Sequence, residues 1–196
     1  LNLNHLMVDF LTASAHKFNG SKGIGFLYRR KDLNISPMLY GGEQEFGLRA
    51  GTENIAGIIS AGFALEENLY EMVSTTKRLK SMIALTLEGV RSKIPNVRVN
   101  GDLENCLPGI LNLGFNGISG ESLMHLLDLK GICVSTGSAC ASGTVHPSHV
   151  LMALGQTEQQ AKSAIRISYG RFNSEKDVED IVSAICDIHQ KILQYQ

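Results

Sequence analysis

Apolar positions along the chain repeat with two different periods. The runs "MVDFLTA", Met7 to Ala13, and "GIGFLYRR", Gly23 to Arg30, are short, apolar and separated by a polar, glycine-containing turn. They predict two neighbouring strands joined by that turn. From Glu53 to Ile94 the period lengthens: Ile55, Ile58, Ile59, Leu65, Leu69, Met72, Val73, Leu79, Met82, Ile83, Leu87 and Val90 keep helical spacing until Pro95 ends it. That is one very long helix or two in tandem. Between the strands and the helix, Ser36 to Asn54 has little periodicity and four glycines, which predicts a long structured loop of the kind found at functional sites or interfaces.

Downstream the elements shorten. Strands are predicted at Val97–Val99 and in "GILNLGF", Gly109 to Phe115. A helix from Gly120 to Lys130 stops at Gly131, the residue type suited to a left-handed helix end, and "ICVST" from Ile132 reads as another strand. Pro147 can start a helix and Gly155 can stop it. "TEQQ", Thr157 to Gln160, is a capping-box pattern. "AIRIS" alternates so that Ile165 and Ile167 face one way while Arg166 and Ser168 face the other. Ser174 with Asp177 introduces a last amphipathic helix through Val178, Ile181, Val182, Ile185, Ile188 and Ile192. The order of elements predicts an α/β chain in two parts: residues 1–70, strands and a long loop, then residues 71–196, an α+β module with helices against a mainly antiparallel sheet. The second part reads as complete; the first reads as the edge of something larger, and the whole as a C-terminal fragment.

Composition narrows the function classes. With 196 residues and 43% hydrophobic content the chain can bury a sizeable core. Its net charge of −1, without any long run of like charge, gives no basis for expecting nucleic acid or an anionic membrane as partner. The apolar stretches are too short and too interrupted to span a bilayer. Cys106, Cys133, Cys140 and Cys186 are scattered and read as thiols rather than a disulfide framework. A cytoplasmic protein is expected.

Three residues carry candidate chemistry. Lys17 closes an apolar strand in "ASAHKFNGSKGIG"; it is a turn lysine, a phosphate clamp or a covalent anchor, and an amine becomes a useful nucleophile only when its pKa is depressed. The Walker pattern is not met, because Phe26 follows Gly25 where Lys-Ser/Thr is required. Cys140 lies in "STGSACASGT", a run of small residues that suits a thiol which must move or be reached. Arg166 sits on the polar side of its strand, where it is either solvated or a fork for a carboxylate. Cys133, Cys140, His146 and His149 cluster, but C-x6-C and H-x2-H match no usual zinc spacing, so no metal is expected.

Five stretches, "DFLTASAHKFNGSKGIGFLYRR", "GGEQEFGLRAGTEN", "VSTGSACASG", "PSHVLMALG" and "AIRISYGRFNSEKDV", occur in an order and at spacings that closely resemble the C-terminal half of cysteine desulfurases of the nitrogen-fixation and iron–sulfur-cluster type. These are class V members of the fold-type I pyridoxal-phosphate transferases. The resemblance covers essentially the whole chain. It implies the remnant of a cofactor-binding large domain followed by a small C-terminal domain, and a reaction: L-cysteine yields L-alanine, with the sulfur left as a persulfide on the enzyme for an acceptor or scaffold protein, in cluster assembly or transfer-RNA thiolation. Carried over by position, Lys17 would be the covalent anchor of pyridoxal 5'-phosphate, Ser14 and His16 would contact the cofactor phosphate, and Thr52 would reach the phosphate of the opposite subunit in a homodimer. Arg166 would grip the substrate carboxylate and Cys140 would take the sulfur. Glu43, Phe46 and Ser21 depart from the family pattern, the first two within the implied interface loop. The family's aspartate for the pyridine nitrogen and its ring-stacking histidine match no residue of this chain. Other readings are a selenocysteine lyase or another class V transaminase, and a non-catalytic module for self-association or partner binding. The Cys140 loop argues against an ordinary transaminase.

Overall fold

The computed structural model describes residues 2–136 and 147–194. The chain divides into two units, Leu1–Met72 and Val73–Gln196. No helix among the described residues is long and apolar enough to cross a membrane.

In the first unit a single helical turn, α1 (Leu3–Leu6), precedes an antiparallel hairpin of β1 (Phe10–Ser14) and β2 (Gly25–Arg29). The strand thus begins three residues later than Met7. Met7 has a positive φ of 47°, and its amide closes α1 by donating to Leu3 O at 3.3 Å, so the extended backbone starts only beyond it. Asp9 is paired across the hairpin with Arg30 at 2.6 Å. The loop over 36–54 holds one 3-10 turn, Gln44–Gly47, with Glu45 and Phe46 in left-handed conformations. One continuous helix follows, α2 (Ile55–Lys93, 39 residues), rather than two in tandem.

The second unit is α+β. Its sheet has the order β3 (Arg98–Val99), β4 (Ile110–Gly114), β5 (Ala164–Ser168), all antiparallel. Leu111, Leu113, Ile165 and Ile167 alternate onto one face and form a common core with Leu123 and Leu127 of α3 (Gly120–Asp128), Ile181, Ile185 and Ile188 of α6 (Glu175–Gln194), and Ile83, Leu87 and Val90 of α2. Each buried large apolar side chain of this kind contributes about 1.5–3 kcal/mol of transfer free energy.

Local chemistry explains the ends. Gly131 (φ +77°) donates to Asp128 O while Ile132 donates to Leu127 O, and Gly155 (φ +81°) and Gln156 repeat the pair on Met152 and Leu151 after α4 (His149–Ala153). These are Schellman endings, which need a left-handed residue at the stop. The predicted helix start at Pro147 moves on: Ser148 is the cap, accepting from Leu151 N–H. Thr157 and Gln160 form the complete capping box of α5 (Glu158–Lys162). At α6 only half the box forms: the Asp177 carboxylate accepts from Ser174 N–H at 2.7 Å, but Ser174 Oγ donates to that same carboxylate. The segment "ICVST" is reduced to one bridge, Ser135 with Arg166. Ile132 N–H already closes α3, so the chain comes alongside β5 only at Ser135.

Candidate functional site

Ser14, His16 and Lys17 are brought together by the end of β1 and the 3-10 turn Ala15–Phe18 that follows it. Ala15 is fully buried and holds the turn on the hairpin: its N–H donates to Ile24 O at 3.0 Å, and its carbonyl accepts from Gly20 N–H at 2.8 Å. Asn19 ends the turn in the left-handed region (φ 68°). Two glycines of "NGSKGIG" are dictated by space. A Cβ on Gly20 would lie 2.8 Å from Ala15 Cβ, and one on Gly25 would lie 2.4 Å from Ala13 O. The three candidate side chains themselves project into solvent, and no described residue buries Lys17.

The turn is also pinned to α2, by residues that sequence reasoning passed over. Asn68 Nδ2 donates to Phe18 O at 2.6 Å and to Ala64 O at 2.6 Å, and Ser21 Oγ lies 2.7 Å from Ser60 Oγ. Ser60, Ala64 and Asn68 follow at i, i+4, i+8 and share one helix face. Two polar residues on that narrow stripe, beside an apolar one, were the available signal. Thr52 is exposed at the end of the long loop, where Gly51 N–H donates to Gln44 Oε1 at 3.1 Å.

Arg166 belongs to the second unit. It faces away from the core on β5, between Asn112 of β4 and Ser135, with which it exchanges both backbone hydrogen bonds, at 2.6 and 3.1 Å. Its Nε is buried and finds no hydrogen-bond partner among the described residues. The segment after Arg166 is tied to α2: Tyr169 Oη lies 2.8 Å from Thr86 Oγ1, and the Arg78 guanidinium donates to the carbonyls of Arg171 and Asn173. Burial pushes the Tyr169 hydroxyl pKa up, partly offset by the Thr86 hydrogen bond. Burial likewise raises the Cys186 thiol, which lies in the core. A cleft of about 690 Å³ beside Cys133, Ser168, Tyr169 and Asp177 contains none of the sequence-derived candidates.

Cys140 and His146 lie outside the described residues. Cys106, Cys133 and Cys186 are free thiols, and among the described residues no group of three or more potential metal ligands gathers.

The model of the aminotransferase class-V family matches residues 1–181. The chain belongs to the class-V aminotransferase family. Among its relatives is a putative cysteine desulfurase IscS 1 of Bacillus subtilis, 40% identical over 193 residues, which cover 98% of this chain and 51% of the relative. The cysteine desulfurase IscS of Dictyoglomus turgidum is 41% identical over 192 residues, 98% of this chain and 49% of the relative. Among solved structures, a NifS-like protein superposes with a TM-score of 0.86 at 35% identity, over 100% of this chain and 49% of its own. A NifS-like protein from Rickettsia africae gives 0.81 at 31% identity, over 97% of this chain and 50% of its own. The chain therefore spans about half the length of the relatives it matches, and its fold is that of the NifS-like enzymes.

Class V aminotransferases are pyridoxal-phosphate enzymes, and the donor set at the β1 turn fits that group. Lys17 offers an amine to an aldehyde. Ser14 and His16 offer a hydroxyl and an imidazole N–H to a phosphate, and the space that Gly20 and Gly25 leave lets the backbone close tightly behind them.

Proposed function

We propose that this chain carries the half of a cysteine desulfurase that holds the cofactor lysine, the sulfur-accepting cysteine and the carboxylate arginine, and that it works in a cytoplasmic homodimer. The observation that carries the reading is Arg166: a pure donor on the polar face of β5 whose buried Nε lacks a protein acceptor among the described residues, as a carboxylate-binding arginine requires. The roughly 40% identity to cysteine desulfurases along nearly the whole chain supports it.

In this reading Arg166 orients L-cysteine by its carboxylate. Lys17 secures the cofactor and moves protons at the substrate Cα and Cβ. The Cys140 thiolate attacks the substrate sulfur: a sulfur–sulfur bond forms, the Cβ–sulfur bond breaks, and its electron pair stays on Cβ, where protonation gives the methyl group of L-alanine. Pyridoxal phosphate, when bound, supplies the electron sink that makes charge at Cβ accessible. A sulfur acceptor protein then takes the persulfide from Cys140. Thr52 and the exposed loop residues Met38, Tyr40 and Phe46 would face the second subunit.

The test is to supply the full-length protein with pyridoxal phosphate and L-cysteine and to follow alanine and sulfide. Cys140→Ser should stop sulfide release while L-cysteine still binds. Undiminished sulfide release by Cys140→Ser would favour a lyase that needs no protein thiol.

A further inference from the structure

Four residues line up as one row across the outer face of the second unit's sheet, Asn100, Asn112, Arg166 and Ser135, and Arg98, two residues before Asn100, stands on the same face in the next row, opposite Gly114. Asn100 N–H donates to Asn112 O at 3.0 Å, Asn112 stands opposite Arg166, and Arg166 stands opposite Ser135. Directly opposed residues of an antiparallel sheet share a face. Their chain neighbours Leu111, Leu113, Ile165 and Ile167 fill the core on the other face, so this row is the sheet's polar side.

The direction of every hydrogen bond in the row is set by a residue that can only donate. The Arg98 guanidinium has no acceptor; its Nε donates to Asn100 Oδ1 at 3.0 Å while its terminal nitrogens donate to Gln160 O at 2.9 Å and Asn116 Oδ1 at 3.2 Å. With its oxygen occupied, Asn100 turns Nδ2 to Asn112 and donates to Oδ1 at 2.7 Å. Asn112 is thereby left with its Nδ2 hydrogens to offer, and these find no acceptor among the described residues. Beside it stands Arg166, another pure donor, whose buried Nε has no partner among the described residues. Among the described residues the relay therefore ends in two adjacent donor groups with no acceptor between them. A planar carboxylate, with two oxygens and four lone-pair positions, satisfies both.

We propose that Asn112 is a second donor to the substrate carboxylate beside Arg166, and that Asn100 and Arg98 are positioning residues that fix which way the Asn112 amide faces. The inference rests on the reading of Arg166 as the carboxylate site, and extends it from one residue to a row. The neutral amide adds direction without a second positive charge, so an α-carboxylate is held in one plane relative to the sheet.

The direct test is nitrogen-15 NMR of the side chains, titrating the protein with L-alanine and, as a control lacking the carboxylate, ethylamine. Asn112 Nδ2 and Arg166 Nε resonances should shift together with L-alanine and stay still with ethylamine. An Arg166 shift without an Asn112 shift overturns the proposal while leaving the desulfurase reading intact; no shift at either residue removes the carboxylate site altogether. Production of alanine from L-cysteine is read separately and decides the proposed function on its own. A second arm uses Asn100→Asp, which offers only oxygen. Asn112 must then flip to donate to it, turning Oδ1 toward the carboxylate, so KM for L-cysteine should rise roughly ten- to hundredfold with kcat little changed. Asn112→Ser, which keeps an acceptor for Asn100 but removes the amide donor, should raise KM by roughly two- to tenfold. Wild-type KM in either folded variant contradicts the proposal.

Discussion

The two stretches of α2 share a periodicity but not a fate. Toward its C-terminal end Leu79, Met82, Leu87 and Val90 are buried, whereas toward its N-terminal end Ile59, Phe63 and Leu69 are 66%, 66% and 60% exposed. The second unit covers its stretch with the sheet and α6; among the described residues, the first unit buries only small side chains such as Ala15 and Ala64. Amphipathic spacing thus marks a face fit for burial without saying what buries it. In the proposed homodimer the first unit's apolar residues are the natural contact surface.

The sharpest way to break this contrast is to truncate one residue on each side of it. Ile185→Ala or Leu127→Ala removes a fully buried side chain and should cost about 2–5 kcal/mol in denaturant unfolding of the monomer. Phe63→Ala should change that monomer stability by about 0.5 kcal/mol or less while weakening self-association in sedimentation. Equal losses at the two sites would erase the distinction.

Next in size is Asn68→Ala, which takes away the two hydrogen bonds that pin the Lys17 turn to α2, from Asn68 Nδ2 to Phe18 O and from Asn19 Nδ2 to Asn68 Oδ1. A loss of about 1–2 kcal/mol is expected, confined to the first unit: amide exchange at Asn19 and Gly20 should accelerate while the β4–β5 amides keep their protection. Uniform acceleration in both units would show that the turn is not an independent element.

The smallest effects are pH-dependent and belong to the second unit. Burial depresses the His189 pKa below its ordinary 6.5, where its ring packs near Phe115. Below 6.5 the unfolded state takes the proton first, so stability declines from there down to the depressed folded pKa. Asp177 is held below 3.8, first by the Ser174 N–H and then by Asn173; its contribution is full above 3.8 and is lost as pH falls through the depressed folded value. His189→Gln should flatten the first phase and Asp177→Asn the second, in acid unfolding followed by far-ultraviolet circular dichroism. A first phase unchanged in His189→Gln would assign it to another group.

Much of this was legible because it is local. The glycine stops at Gly131 and Gly155, the Thr157 capping box and the alternation of Ile165, Arg166 and Ile167 each depend on a few adjacent residues. What escaped depends on register and on partners distant in sequence. Nothing near Asn112 reveals that it lies opposite Arg166, since that pairing follows from how β4 and β5 align. Asn68 reads as one polar position on a helix until the Phe18 carbonyl is placed against it. The "ICVST" segment has the alternation of a strand, yet the closing bond of α3 uses its first amide, and alternation alone does not report that competition.

The proposed reaction depends most on Lys17 as the covalent anchor of the cofactor. Borohydride reduction of the full-length protein loaded with pyridoxal phosphate, followed by peptide mapping, tests it directly. The pyridoxyl label is expected on the peptide containing Lys17 and should be lost in Lys17→Ala; a label on Lys22 or another lysine, with Lys17 unmodified, would rule Lys17 out as the anchor.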